Sequence, residues 1–110
     1  MTDRELLEKA AKAAGLDLFV WGTKGAEKFC IKLEDRSPGN LWNPLTDDGD
    51  ALRLAVKLRI EIMWPRPGDH VCAGNVRKVG AGSCEDDLSD PYAATRRAIV
   101  RAAAAIGDRA

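Results

Sequence analysis

The sequence is poor in aromatic residues, with two Phe, one Tyr and three Trp among 110 residues. It also has a single His and only three Cys. No apolar run approaches the roughly 20 residues of a membrane-spanning helix, so no membrane partner is expected. Nor does one sign of charge dominate: 17 Lys+Arg balance 17 Asp+Glu. General nucleic-acid binders usually carry a basic excess, which makes nucleic acid an unfavoured partner. The opening Met1-Thr2-Asp3-Arg4-Glu5 is acidic and polar, unlike the basic start of a secretory signal. A cytoplasmic protein is therefore expected. Three Cys is an odd count, and their spacing suggests no disulfide framework. Free thiols in a reducing compartment are the expectation.

What is present is the balance of an ordinary globular domain, with 45% hydrophobic and 31% charged residues. At this length a single domain over residues 1–110 is expected. Thr2 and Glu5 have capping-box spacing. Leu6, Leu7, Ala10, Ala13 and Ala14 then form a helical apolar stripe that ends at Gly15. Glu5–Lys9 and Glu8–Lys12 are i,i+4 pairs in the favourable order. Residues 16–22 and 27–33 read as two strands of a hairpin, the second with Phe29, Ile31 and Leu33 on one face. Residues 34–45 form a loop whose end, Leu41-Trp42-Asn43-Pro44-Leu45, tucks against the core as a lid.

A second helix starts at Thr46 or Asp47, with Asp47, Asp48 and Asp50 at its positive end. Leu52, Ala55, Val56 and Leu58 supply its apolar side, and Arg59 closes it. Ile60, Ile62 and Trp64 alternate with Glu61 and Met63 as a third strand. Residues 65–69, with Pro65, Pro67 and Gly68, must turn. A fourth strand is expected over residues 70–78. Residues 80–87 read as a mobile loop. Ser89-Asp90-Pro91 then opens a last helix, with a capping residue before Pro at the first helical position. Tyr92, Thr95, Ile99, Ala103 and Ile106 share a face, and Gly107 ends it. The order is α-β-β-α-β-β-α. It implies an α+β domain, an antiparallel sheet of about four strands with three helices. Helices on both faces would make it a layered α/β/α sandwich.

Two segments carry a family resemblance. Thr46-Asp47-Asp48-Gly49-Asp50-Ala51-Leu52-Arg53-Leu54-Ala55-Val56-Lys57-Leu58 precedes an aliphatic strand ending in Trp64. Later, Asp90-Pro91-Tyr92-Ala93-Ala94-Thr95-Arg96-Arg97-Ala98-Ile99-Val100 opens the terminal helix. This layout resembles small phage and prophage proteins of the phage ABA-sandwich type and the NinX-like proteins, over about residues 1–108. The resemblance implies a bacteriophage origin and an α/β/α layered fold. Those families are of unknown function, so it transfers no catalytic residue.

Few constellations suggest chemistry. Cys30, His70, Cys72 and Cys84 could complete a Cys₃His zinc set. His70 and Cys72, two apart, would share a strand face. Zinc sites normally show a close Cys-x₂₋₄-Cys pair, and none occurs here. No metal and no cofactor is assigned. Helix capping accounts for Asp47, Asp48 and Asp50 without a cation. Gly80-Ala81-Gly82-Ser83 is followed by acids rather than a helix, so it reads as a turn and not a phosphate loop. A Cys72–His70 pair on one strand face, with no oxyanion hole and only Asp69 next door as an orienting carboxylate, fills too few catalytic roles, so no enzyme is expected.

Arg96, Arg97 and Arg101 form the notable surface group, a short basic ridge. Trp21, Trp42 and Trp64 are expected to anchor the core. Trp42, on its loop, is the one suited to partner contact, because Trp is enriched at binding hot spots. The reading is a non-catalytic protein-binding module acting on a host or phage factor, with Trp42, Arg97 and Arg101 as contact residues. A homodimer through a sheet edge or the Trp42 loop is a related form. The alternatives are a nucleic-acid-associated factor using the Arg ridge and a small zinc protein around His70 and Cys72.

Overall fold

A computed structural model describes residues 2–23, 25, 27–32, 40–66, 70–75, 81–86 and 90–109. In chain order these form α1 (Asp3–Ala14), β1 (Asp17–Trp21), β2 (Lys28–Lys32) and β3 (Asn40–Leu41), then α2 (Asp48–Leu58). β4 (Glu61–Arg66), β5 (His70–Asn75), β6 (Ala81–Asp86) and α3 (Pro91–Arg109) complete it. The class is α+β, as the sequence implies.

The helix ends follow their local chemistry. The Glu5 N–H donates to the Thr2 hydroxyl oxygen at 3.2 Å, while that hydroxyl donates to the Glu5 carboxylate. Gly15 closes α1 at φ 72°, a left-handed position that glycine adopts without cost. Asp47 caps α2 by accepting from the Asp50 N–H at 2.8 Å. Asp90 caps α3, its carboxylate accepting from the Tyr92 and Ala93 N–H groups at 3.1 Å. Arg59 ends α2 at φ 56°, its N–H reaching the Ala55 and Val56 carbonyls. A left-handed non-glycine residue costs about 1–2 kcal/mol, and glycine returns part of that gain through unfolded-state entropy. Arg59→Gly is therefore expected to stabilise by about 0.5 kcal/mol. The check is a higher urea midpoint at unchanged slope; a lower midpoint would give the Arg59 side chain an anchoring role instead.

The strands differ from the expected single sheet in number and grouping. There are two antiparallel three-stranded sheets, ordered β1-β2-β3 and β4-β5-β6. β3 lies in the expected loop: Cys30 pairs with Leu41, and the Trp42 N–H donates to the Phe29 carbonyl at 2.8 Å. β6 lies where residues 80–87 read as a loop. It pairs with β5 along its whole length, from His70 opposite Asp86 to Asn75 opposite Ala81. Backbone pairing to β5 needs no apolar run, and the sequence Ala81-Gly82-Ser83 has none. The expected loop residues 34–39, turn residues 67–69 and strand residues 76–78 lie outside the described residues.

α3 is the central element, touching α1, α2, β5 and β6. Its alanines make that geometry workable. Ala98, Ala102 and Ala103 are fully buried, so neighbouring backbones approach closely on several sides. From β5, Val71 and Ala73 face α3 and are buried. Leu6, Leu7, Ala10 and Ala11 of α1 and Ala51, Leu54 and Leu58 of α2 complete one core cluster. The outward face of the β4-β5-β6 sheet is left open at Met63, which is 52% exposed. The helices therefore stack beyond one face of this sheet, instead of covering both.

α3 also runs past Gly107 to Arg109, so this glycine does not end the helix. Lys9 serves a different partner from the expected Glu5: its ammonium meets Asp108 at 2.8 Å, tying α1 to the end of α3.

Candidate protein-binding groove

α2 carries apolar residues on two faces. Ala51, Leu54, Ala55 and Leu58 point into the core. Leu52 and Val56 point outward, 60% and 58% exposed. They sit one helical turn apart, as i,i+4 neighbours do. Leu52 faces a groove of about 470 Å³ between α2, β4 and the first turns of α3. Ala51, Ile62 and Ile99 form its floor, and Leu52, Trp64 and Tyr92 its walls. Trp64 is 49% exposed and Tyr92 70%. A second hollow of about 630 Å³, lined by Val56, Ile60 and Arg59, shares Leu52 and Ile62 with the first. This second hollow is more polar, since Arg59 and Glu61 also line it.

The groove's charged rim is satisfied internally. Arg96 Nη1 meets Asp48 at 2.6 Å, and its Nε–H donates to the Leu45 carbonyl at 2.9 Å. What faces an incoming molecule is apolar and aromatic. Beside it runs the outer edge of β4. β5 occupies one edge of β4, and no strand among the described residues occupies the other. An open edge offers backbone N–H and C=O groups to an extended chain.

The contact residues expected from the sequence lie elsewhere. Trp42 is only 4% exposed and belongs to the core cluster. Its segment does tuck in as a lid, held by the Asn43 N–H donating to the Asp50 carboxylate at 3.0 Å. A side chain in that position offers a partner nothing without leaving the core. The tryptophan roles are exchanged: Trp21 and Trp64, expected inside, are exposed. Tyr92 leaves the inward face shared by Ile99, Ala103 and Ile106 and stands at the groove.

The arginines do not form an open ridge. Arg97 Nη2 pairs with Asp3 at 3.0 Å, and Arg101 pairs with Glu85. Glu85 lies opposite Val71 on the face turned to α3, which is why it meets Arg101. Each guanidinium already has a carboxylate, so a phosphate would have to displace one.

The cysteines correct two expectations. Cys72 and Cys84 are paired in the β5–β6 register and joined by a disulfide, with Cα atoms 4.0 Å apart. They are not free thiols. Cys30 is the free cysteine, buried on β2 in the other sheet. Cys30, His70, Cys72 and Cys84 thus do not converge, and no group of three potential metal ligands occurs among the described residues.

Leu52, Val56, Trp64 and Tyr92 were not singled out as a site by the sequence. One signal was available, since α2 has more apolar residues than one buried stripe can use. No family model matches this chain, and comparison with curated proteins and with solved structures finds no match.

Proposed function

We propose that the protein is a non-catalytic protein-binding module whose contact surface is the apolar groove of Leu52, Trp64 and Tyr92. The observation that carries the reading is this cluster of large exposed apolar side chains around a formed groove. Scattered exposed apolar residues are ordinary, whereas a contiguous patch marks an interaction site. Trp and Tyr are also the side chains that dominate binding energy at interfaces. The β4 edge beside the groove favours an extended segment that adds as a strand and sets apolar side chains into the groove. The resemblance to small phage proteins supplies the setting, a cytoplasmic one with a host or phage protein as partner. A second copy of the chain is the homodimeric form of the same contact.

The test compares wild-type protein with a Trp64→Ser/Tyr92→Ser double variant and with Arg4→Ala as a remote surface control. Both groove side chains are at least half exposed or nearly so, and the double variant should melt close to the wild type. Partner capture from host extract, quantified by mass spectrometry, should fall at least tenfold for the double variant alone. Sedimentation velocity in parallel identifies a homodimer by a mass that rises with concentration and drops in the variant. A partner retained equally by all three proteins would remove the groove from consideration.

A further inference from the structure

We infer that the Cys72–Cys84 pair is a reversible dithiol–disulfide site that exchanges with thiols, with Cys84 as the attacked sulfur and Cys72 as the leaving one. The inference goes beyond the groove and concerns the opposite face of the β4-β5-β6 sheet. Val71 and Ala73 turn into the core. Cys72, between them on β5, therefore turns outward, away from α3.

Two features separate this bond from a structural clamp. First, the ladder already holds the two residues opposite each other, with β5 and β6 paired at six consecutive positions. The bond closes a span of 12 residues, within strands that are hydrogen-bonded neighbours in the fold. The same ladder would keep the two sulfurs adjacent after reduction, so the bond can open and re-form without a change of fold.

Second, the two residues differ in exposure: Cys84 is exposed and Cys72 half-buried. An incoming thiolate must approach along the S–S axis, and the more exposed residue, Cys84, is assigned as its point of entry.

The step balances as follows. A thiolate of a low-molecular-weight thiol attacks Cys84 Sγ and forms a mixed disulfide with it. The Cys72–Cys84 bond breaks, and its electron pair leaves on Cys72 Sγ, which takes up a proton. A second thiol then releases the first as its own disulfide. Two thiols are oxidised to one disulfide, and the protein pair is reduced to two thiols. Cys30, buried in the other sheet, has no access to the exchange. In the cytoplasmic setting proposed above, on which this point rests, disulfides are typically transient ones of this sort.

The test uses the full chain and reduced or oxidised glutathione as the probe. Native protein in millimolar reduced glutathione should gain two hydrogens by intact mass, with unchanged circular dichroism, and lose them again in oxidised glutathione. Cys72→Ser should trap one glutathione on Cys84 at least about tenfold faster than Cys84→Ser traps one on Cys72. If a variant fails to fold, alkylation of the briefly reduced wild-type protein should label Cys84 before Cys72. A bond that yields to thiols only after denaturation would make it structural. Equal rates at the two sulfurs, or thiols that never pair in oxidised glutathione, would overturn the assignment.

Discussion

Gly107→Ala is expected to destabilise the protein by about 2–3 kcal/mol, the usual cost of forcing extra volume into a packed contact. Glycine-to-alanine inside a helix ordinarily gains about 1 kcal/mol. Here the sign reverses. A Cβ on Gly107 would fall within the Lys9 carbonyl of α1, closer than any van der Waals contact permits. The obstacle is backbone, so it cannot swing aside as a side chain would. Either α1 moves off α3, opening the layer that holds Leu7 and Ala10, or the end of α3 unwinds and gives up the Lys9–Asp108 pair. The melting temperature should fall by roughly 10–20 °C for a domain of this size. Gly49→Ala is the control. Its new methyl would meet the Arg53 guanidinium and the capping Asp47 Oδ2 at 3.2 Å, contacts that a few tenths of an ångström of side-chain movement relieve. It should be close to neutral. A Gly107→Ala protein as stable as the wild type would mean that α1 and α3 are not in backbone contact there.

That close approach also shows what the sequence could and could not disclose. Caps, turn residues and helical stripes are local features, and they located α1, α2 and α3 to within a few residues. Gly107 carries the same local signal whether it ends a helix or admits a neighbouring backbone, and only the position of α1 distinguishes the two. β6 was hidden for a similar reason. Ala81-Gly82-Ser83-Cys84-Glu85-Asp86 has no alternating apolar pattern, because its hold on the sheet comes from backbone pairing to β5. The disulfide was hidden with it, since the register that sets Cys72 opposite Cys84 cannot be read from a spacing of 12. The groove was only half legible. Surplus apolar residues on α2 were visible, but the 70% exposure of Tyr92 depends on tertiary packing that helical spacing does not carry. Trp42 misled because a loop tryptophan looks available until the chain around it is seen to be fastened down.

The fastening is Asp50, and its loss should be the second large effect. Asp50 is the one charged residue buried among those described, at 9% exposure. Its Oδ2 accepts from the Asn43 N–H at 3.0 Å, and its Oδ1 accepts from Arg53 Nη2 at 2.8 Å. The first bond holds the segment that seats Trp42 and Pro44 in the core. The second keeps the carboxylate charge compensated. Asp50→Ala strips the acceptor from a half-buried backbone N–H and leaves a void beside α2, so a loss of about 2–3 kcal/mol is expected. Asp50→Asn keeps an oxygen for Asn43 and should cost about half as much. Arg53 is 74% exposed at its side chain, so Arg53→Ala should cost well under 1 kcal/mol. Urea unfolding of the three variants separates the two roles of the carboxylate. In a Trp21→Phe/Trp64→Phe background, Asp50→Ala should also shift Trp42 emission to the red as its indole meets water. Equal losses in Asp50→Ala and Arg53→Ala would place the stabilisation in the ion pair. The expected inequality places it in the bond to Asn43, which joins the Trp42 N–H bond to the Phe29 carbonyl in keeping Trp42 out of solvent and away from any partner.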